Sequence, residues 1–318
     1  MKRLLVTGYS GFVGNKLVSQ LQGSYQLNLL GRKSSNLGCV YTHNIDSKSS
    51  YADALVNVDA VVHCAARVHI MDDIASDPLN EFRAVNTQGT LNLAKQAAAA
   101  GVKRFIFLSS IKVNGESTSG KTFFAVSDKP AAEDPYGISK AEAEQQLLDL
   151  SKKSSMEVVI IRPPLVYGEG VKANFASLMR FVGKGLPLPF RAIKNNKRSL
   201  VSVYNLVDLI KVCIEHPKAA NQVFLASDDY DISTAEMVAL MAQVQDKTNL
   251  ALPVPVWCFK LAGKLLRKND VIDRLTGSLQ LDITHTKNTL NWNPPYSVEH
   301  GFKLAAKKFS QENEWIYK

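Results

Sequence analysis

Tyr136 and Lys140 stand four residues apart in Tyr136-Gly137-Ile138-Ser139-Lys140. On a helix that spacing puts both on one face, so an ammonium can sit beside a phenol. A phenol titrates near pH 10, and bringing it to neutrality takes about three units, or about 4 kcal/mol of differential stabilisation. A lysine and the positive ring of a bound cofactor are groups that supply it, which would make Tyr136 a general acid and base. Ser109-Ser110 closes the strand-like run that begins at Arg104. A hydroxyl at a strand end can donate to an oxygen on which negative charge builds.

A second cluster of chemistry lies at the N-terminus, in Thr7-Gly8-Tyr9-Ser10-Gly11-Phe12-Val13-Gly14. Between a strand and a helix, Gly8 permits a tight turn, Gly11 lets backbone approach a pyrophosphate, and Gly14 seats the helix close on the strand. The helix N-terminus then offers unpaired N–H groups and partial positive charge to phosphates. This is a dinucleotide site on the sequence pattern. The next strand ends Leu29-Leu30-Gly31-Arg32-Lys33. The acid that commonly accepts hydrogen bonds from the ribose 2′-hydroxyl of NAD is absent, and Arg32 offers a cation suited to the 2′-phosphate of NADP. NADP(H) is therefore the favoured expectation, with NAD(H) as the alternative.

The elements that must position these residues are legible as an alternation. Strand candidates are Arg3 to Thr7, Gln26 to Leu30, Asp59 to His63, Arg104 to Ser109 and Glu157 to Arg162. Helix candidates lie between them at Phe12 to Gln22, Pro78 to Ala100 and Tyr136 to Lys153. Several strands are apolar on both faces, which indicates a parallel sheet covered on each side by helices, an α/β doubly wound (Rossmann) fold. After Arg162 the alternation loosens into glycine- and proline-marked loops and helices at Asn205 to Glu215, Thr234 to Gln245 and Val256 to Arg267. We expect residues 1–165 to form the dinucleotide domain and 166–318 a smaller, mainly helical substrate part, with some segments free to return to the first.

Composition excludes more than it selects. Hydrophobic residues make up 46% and charged residues 21% of 318, which argues against disorder. The opening apolar run Leu4-Leu5-Val6 stops at Thr7-Gly8, too short for a leader peptide, and no stretch suits a membrane span. The net charge of +9 permits nucleic acid, a membrane surface or an anionic substrate as partner. Its dispersal, without aromatic interleaving, argues against nucleic acid. Cys39, Cys64, Cys213 and Cys258 have no metal spacing. No metal is expected, and the four read as reduced thiols of a cytoplasmic protein.

Taken together, Thr-Gly-x-x-Gly-Phe-x-Gly, the Ser-Ser strand end, Tyr-x-x-x-Lys, Arg162-Pro163 and Tyr167-Gly168 resemble the extended short-chain dehydrogenase/reductases that act on nucleotide sugars. Leu290-Asn291-Trp292-Asn293-Pro294 extends the resemblance to the end of the chain. The resemblance implies Tyr136 as acid/base, Lys140 on the nicotinamide ribose and Ser110 on the reacting sugar oxygen. It implies Asn44 and Ile45 beside the adenine, and Cys64, Ala65, Ala66, Asn86 and Pro164 along the cofactor. Asn174 and Arg198 match positions that contact the nucleotide diphosphate, although Ser199 stands where the family usually has Asp. It also suggests a homodimer paired through two long helices.

Within that family, dehydratases carry an Asp-Glu pair after the catalytic hydroxyl residue. This chain has Ile111-Lys112, so elimination of water is not expected. Leu165 replaces a substrate-contacting Asn. Because a net reduction draws on NADPH whereas an epimerase recycles its nicotinamide, the Gly31-Arg32 turn leads to the expectation of a reductase acting on the C4 ketone of a UDP-4-keto-6-deoxy-hexosamine. The alternative is a UDP-hexose 4-epimerase holding NAD, and a third reading is a non-catalytic dinucleotide sensor. Arg67, His69 and Met71 are candidates for the border of the sugar pocket. The basic amphipathic run from Val256 is expected to pack into the C-terminal lobe, with membrane contact as the competing reading.

Overall fold

The computed structural model describes residues 1–68, 77–266 and 269–314. The first half lays down β1 (Arg3–Thr7), α1 (Phe12–Leu21), β2 (Gln26–Leu30), β3 (Cys39–Tyr41) and β4 (Ala60–His63). Then come α2 (Pro78–Phe82), a π-helical turn (Arg83–Gly89), α3 (Thr90–Ala99), β5 (Arg104–Leu108), α4 (Pro135–Ser151) and β6 (Glu157–Arg162). The second half adds β7 (Leu165–Tyr167), α5 (Ala173–Gly183), β8 (Arg198–Ser202), α6 (Val203–Glu215), β9 (Gln222–Leu225) and β10 (Asp231–Ile232). Five helices follow: α7 (Thr234–Gln243), α8 (Val256–Leu265), α9 (Asn269–Thr276), α10 (Thr284–Leu290) and α11 (Val298–Glu314).

Seven strands form one parallel sheet in the order β3-β2-β1-β4-β5-β6-β9. The order reverses between β1 and β4, which opens a crevice at the carboxyl edge where ligands of doubly wound folds sit. Register makes that edge a straight row: Leu30 pairs with Thr7, Thr7 with His63, and His63 with Phe107. The residues that follow, Gly31, Gly8, Cys64 and Leu108, are therefore delivered to one line.

Strand periodicity divides the core. Leu4 and Val6 of β1 face α1 and α6, joining Leu17, Val18, Leu206 and Ile210. Leu5, between them, faces the other side, among Leu93, Ala94, Ala97, Ala143 and Leu147 of α3 and α4. Small alanines at the α3 and α4 contacts let those helices lie near the sheet. A third cluster, built on Tyr167, Phe175, Met179, Met241 and Phe302, holds the C-terminal helices together.

The structure departs from the sequence expectations in three places, the first being β3, a three-residue edge strand of the main sheet beside β2 that the alternation did not mark. The helix expected over Pro78 to Ala100 is interrupted by the π-helical turn, which aims Asn86 inward and lets Gly89 approach Ile45; a Cβ on Gly89 would come within 2.9 Å of the Ile45 backbone. The second half is less purely helical than expected. It sends β9 back to the main sheet beside β6 and builds a three-stranded sheet, β10-β8-β7. These strands have two to five residues, too short for a period to show.

A buried ion pair ties α4 to β6. Glu144 takes the Arg162 guanidinium at 3.0 and 3.1 Å and also accepts from Ser109, while Arg162 reaches Asn114 at 2.9 Å. Removing one partner leaves the other charged and dry. Glu144→Ala should therefore lower the free energy of unfolding by about 3–5 kcal/mol, read from urea denaturation.

Candidate active site

The glycine loop is shaped by close approach. Gly8 has φ of +67°, and a Cβ there would lie 2.6 Å from the Ala65 nitrogen; one on Gly14 would lie 2.2 Å from the Gly8 carbonyl oxygen. α1 begins at Gly11 with no side-chain cap and no acid in its first turn, so its leading N–H groups and positive end stay available to an anion. This cradle fits a dinucleotide pyrophosphate on the structure's own terms. Phe12 and Val13, in the first turn of α1, are half-buried and packed against the core, and Ser10 is exposed at the loop tip. Tyr9 is buried. Its ring lies against Gly31, where a Cβ would meet Cε1 at 2.9 Å, and its hydroxyl donates to the Lys33 carbonyl. Tyr9 thus braces the loop against the β2 turn, and Arg32 projects from that turn into solvent.

The walls of the crevice come from the strand ends. Thr7 Oγ1 lies 2.7 Å from His63 Nδ1 and accepts from Ala65 N–H at 3.1 Å, fixing Cys64-Ala65-Ala66 beside Gly8. His63 Nε2 meets Thr90 Oγ1 at 2.9 Å. Asn86, fully buried, exchanges hydrogen bonds with the Arg67 backbone at 2.8 and 3.0 Å and donates to Ser139 Oγ at 3.0 Å, linking the β4 loop to α4. Asn44 is held through its carbonyl by Tyr51 at 2.9 Å, with Ile45 beside Gly89. Pro164 is buried just after β6. Arg67 lies at the edge of this wall, 3.4 Å from Glu81; His69 and Met71 lie outside the described residues.

The two serines are separated by their partners. Ser109 is buried and committed to Glu144, whereas Ser110 is only partly buried and caps the short turn at Ile111–Val113. Ser110 is accordingly the less committed of the two hydroxyls, just past the carboxyl end of β5. Asp134 caps α4 by accepting from Gly137 N–H at 2.6 Å, and Pro135 occupies its first position. Lys112 pairs with the same Asp134 and with Glu116 at 2.8 Å. A Cβ on Gly137 would lie 2.9 Å from the Lys112 carbonyl oxygen. Ile111-Lys112 thus does structural duty, joining the Ser110 turn to the start of the Tyr136 helix.

Lys140 is buried, donating to the Leu108 carbonyl at 2.9 Å, with its nitrogen 4.3 Å from the Phe107 ring centroid and 6.0 Å from that of Tyr136. Burial pulls its ammonium down to about 7, against the opposing pull of Cys64 and Glu144. The Tyr136 phenol is pushed upward, by burial first and by the Asp134 carboxylate second. The sequence expectation rests on Lys140 together with the positive ring of a bound cofactor; in the chain alone the phenol is raised, and the Lys140 ammonium donates to Leu108 and lies over Phe107. His63 is driven down to about 3 by burial and by the charge of Lys140, so it is a neutral core residue.

On the substrate side, Asn174 is exposed in the first turn of α5. Arg198 opens β8, and its Nη1 donates to the Arg274 carbonyl at 3.1 Å and the Gly277 carbonyl at 3.3 Å. Burial and the nearby Arg274 guanidinium lower its pKa, while Glu116 opposes them. No hydrogen bond joins Asn174 to Arg198 among the described residues. Arg274 was not foreseen, because a lone arginine on a short polar helix carries no signal until the fold sets it beside Arg198. The Ser199 departure has a local remedy: Ser199 donates to Asp231 of β10 and accepts from Leu281 N–H at 2.9 Å. An acid from the neighbouring strand stands where the chain lacks one of its own.

Residues 4–232 match the model of the NAD dependent epimerase/dehydratase family, and the chain belongs to that family. It is 57% identical over 317 residues to a Vibrio cholerae UDP-glucose 4-epimerase, covering 98% of this chain and 97% of that one. An Escherichia coli O157:H7 protein, N-acetyl-alpha-D-glucosaminyl-diphospho-ditrans,octacis-undecaprenol 4-epimerase, is 28% identical over 94% of this chain and 92% of its own. The fold is shared with a Thermotoga maritima UDP-glucose 4-epimerase solved with UDP-glucose, at a TM-score of 0.79 and 22% identity, covering 98% and 99% of the two chains. These findings correct one expectation. The 4-keto-sugar reductase rested on the Gly31-Arg32 turn, and a 57% full-length likeness to a 4-epimerase overturns it. A nicotinamide dinucleotide is the family's cofactor, and no helix among the described residues is long and apolar enough to cross a membrane.

The buried neutral His63 gives a pH dependence. Between pH 6.5 and about 3 the unfolded chain binds a proton at this residue that the folded chain refuses, so stability falls as pH falls below 6.5. His63→Gln should flatten the acid side of a plot of unfolding free energy against pH by about 1.4 kcal/mol per unit.

Proposed function

We propose that this enzyme is a UDP-hexose 4-epimerase that keeps NAD bound through the turnover. The observation that carries the reading is the 57% identity to the Vibrio cholerae protein over nearly all of both chains. The arrangement is compatible with it: the Lys140 nitrogen lies 6.0 Å from the Tyr136 ring centroid, Ser110 lies just past the carboxyl end of β5, and Lys112 stands where an elimination would need an acid.

In this reading Gly8 to Gly14 and α1 hold the pyrophosphate, and Asn44 and Ile45 border the adenine. Cys64, Ala65, Ala66, Asn86 and Pro164 line the cofactor, and Lys140 holds the nicotinamide ribose. NAD, when bound, supplies a hydride acceptor for C4 and a positive ring beside Tyr136. Tyr136 takes the proton of the C4 hydroxyl and returns one to the C4 oxygen after the sugar has turned in the site. Ser110 donates a hydrogen bond to that oxygen throughout, steadying it whichever face is presented. The raised phenol suits the second half of the cycle, in which Tyr136 must give its proton back. Arg198 and Arg274 hold the diphosphate, with Asn174 beside it, so residues 166–318 fix the nucleotide while the sugar remains free to rotate. Arg32, far out on its turn, has no 2′-phosphate to read when the dinucleotide is NAD.

The test uses purified protein with UDP-glucose and no added cofactor. UDP-galactose should form until equilibrium, and denaturation should release NAD; NAD retained without any interconversion would contradict the reading. Tyr136→Phe should lower kcat by about 10²–10⁴-fold while leaving the bound NAD in place. Arg32→Asp should leave NAD retention and kcat within about two-fold, because an exposed charge outside the 2′-hydroxyl contact contributes little.

A further inference from the structure

The run from Val256 was expected to pack into the C-terminal lobe, and α8 does so on one face only. Phe259 stacks on Phe190 with ring centroids 6.0 Å apart, and Gly263 is buried against Ile272 of α9. At 100° per residue, Trp257, Leu261 and Leu265 form a separate stripe on the side away from Phe259 and Gly263. They are 65%, 50% and 75% exposed, so the core requirement of the helix is met without them. Lys260 and Lys264 flank the stripe, both exposed, and α8 contains no acidic residue. Among the described residues neither ammonium is paired with a carboxylate.

An apolar stripe with a tryptophan at one end and unpaired lysines along its border is the composition of a helix that lies in a bilayer interface, ring and aliphatic tips in the acyl boundary and ammonium groups among anionic headgroups. Charge complementarity selects this occupant. The whole chain carries +9, and the lysines beside the stripe leave it cationic, which suits anionic lipid and disfavours burying the same face against a second, equally basic copy. We propose that α8 docks this enzyme reversibly on anionic lipid bilayers through Trp257, Leu261 and Leu265, with Lys260 and Lys264 on the headgroups. None of the residues assigned above to cofactor or substrate belongs to α8, so the contact is separate from the proposed chemistry.

The test is sedimentation of the full chain with vesicles of phosphatidylglycerol and phosphatidylcholine in equal parts, against vesicles of phosphatidylcholine alone, at low salt. Partitioning to the anionic vesicles should be at least about ten-fold stronger and should fall as salt is raised. The combined Trp257→Ser, Leu261→Ser, Leu265→Ser variant and, separately, Lys260→Glu with Lys264→Glu should each reduce it about ten-fold or more. Far-UV circular dichroism and the thermal midpoint should stay unchanged, showing that these exposed positions do not serve the fold. Wild-type protein that fails to sediment with anionic vesicles, or a triple variant that binds like wild type, would overturn the proposal. So would a concentration-dependent dimer that the triple variant loses while no vesicle binding is seen, which would assign the stripe to a second copy.

Discussion

The seating of α4, which carries Tyr136 and Lys140, against the end of β5 is the contact on which the rest of the candidate site depends. Gly137 admits it by presenting no side chain to the Lys112 carbonyl, and Asp134 fixes its first turn while pairing with the same lysine. One turn further in, Lys140 reaches the Leu108 carbonyl, and one turn beyond that Glu144 holds Ser109 and Arg162. Three successive turns of one helix are therefore bonded to a single strand end and its following loop. This arrangement sets the backbone of Tyr136, at the start of α4, beside the turn that follows Ser110.

That seating has an electrostatic cost. Lys140 gives up most of its hydration, so its ammonium is weakened toward neutrality, and His63 in the next strand cannot charge beside it. The buried pair of Glu144 and Arg162 is tolerable because every guanidinium nitrogen and both carboxylate oxygens have a hydrogen-bond partner. Burial and the Asp134 carboxylate hold the Tyr136 phenol high, so in the proposed cycle the charge of a bound dinucleotide would be what makes it a base. A dinucleotide retained through the cycle suits this balance, since its charge alternates in step with the direction of proton transfer.

The sequence made the dinucleotide half readable because its signals are local. A glycine fixed by a turn, a Tyr and Lys on one helical face, and strands apolar on both sides each report their own structure, and five strand candidates fall on observed strands within a residue. What escaped were features made by distance. The π-helical turn that aims Asn86 has no marker in Arg83 to Gly89, and β7 to β10 are too short to show a period. Arg274 becomes notable only beside Arg198, and Asp231 only beside Ser199. The reaction type is not legible for a related reason: one exposed arginine after β2 does not decide between two chemistries that share the same serine, tyrosine and lysine.

The central claim is that the C4 hydride leaves and returns within one bound complex. A mixture of UDP-glucose deuterated at C4 and UDP-glucose labelled with carbon-13 throughout the sugar tests it most directly, with the products resolved by mass. The account predicts that deuterium stays at C4 and on its original carbon skeleton in the UDP-galactose formed. Deuterium appearing on the carbon-13 sugar, or lost to solvent, would contradict it.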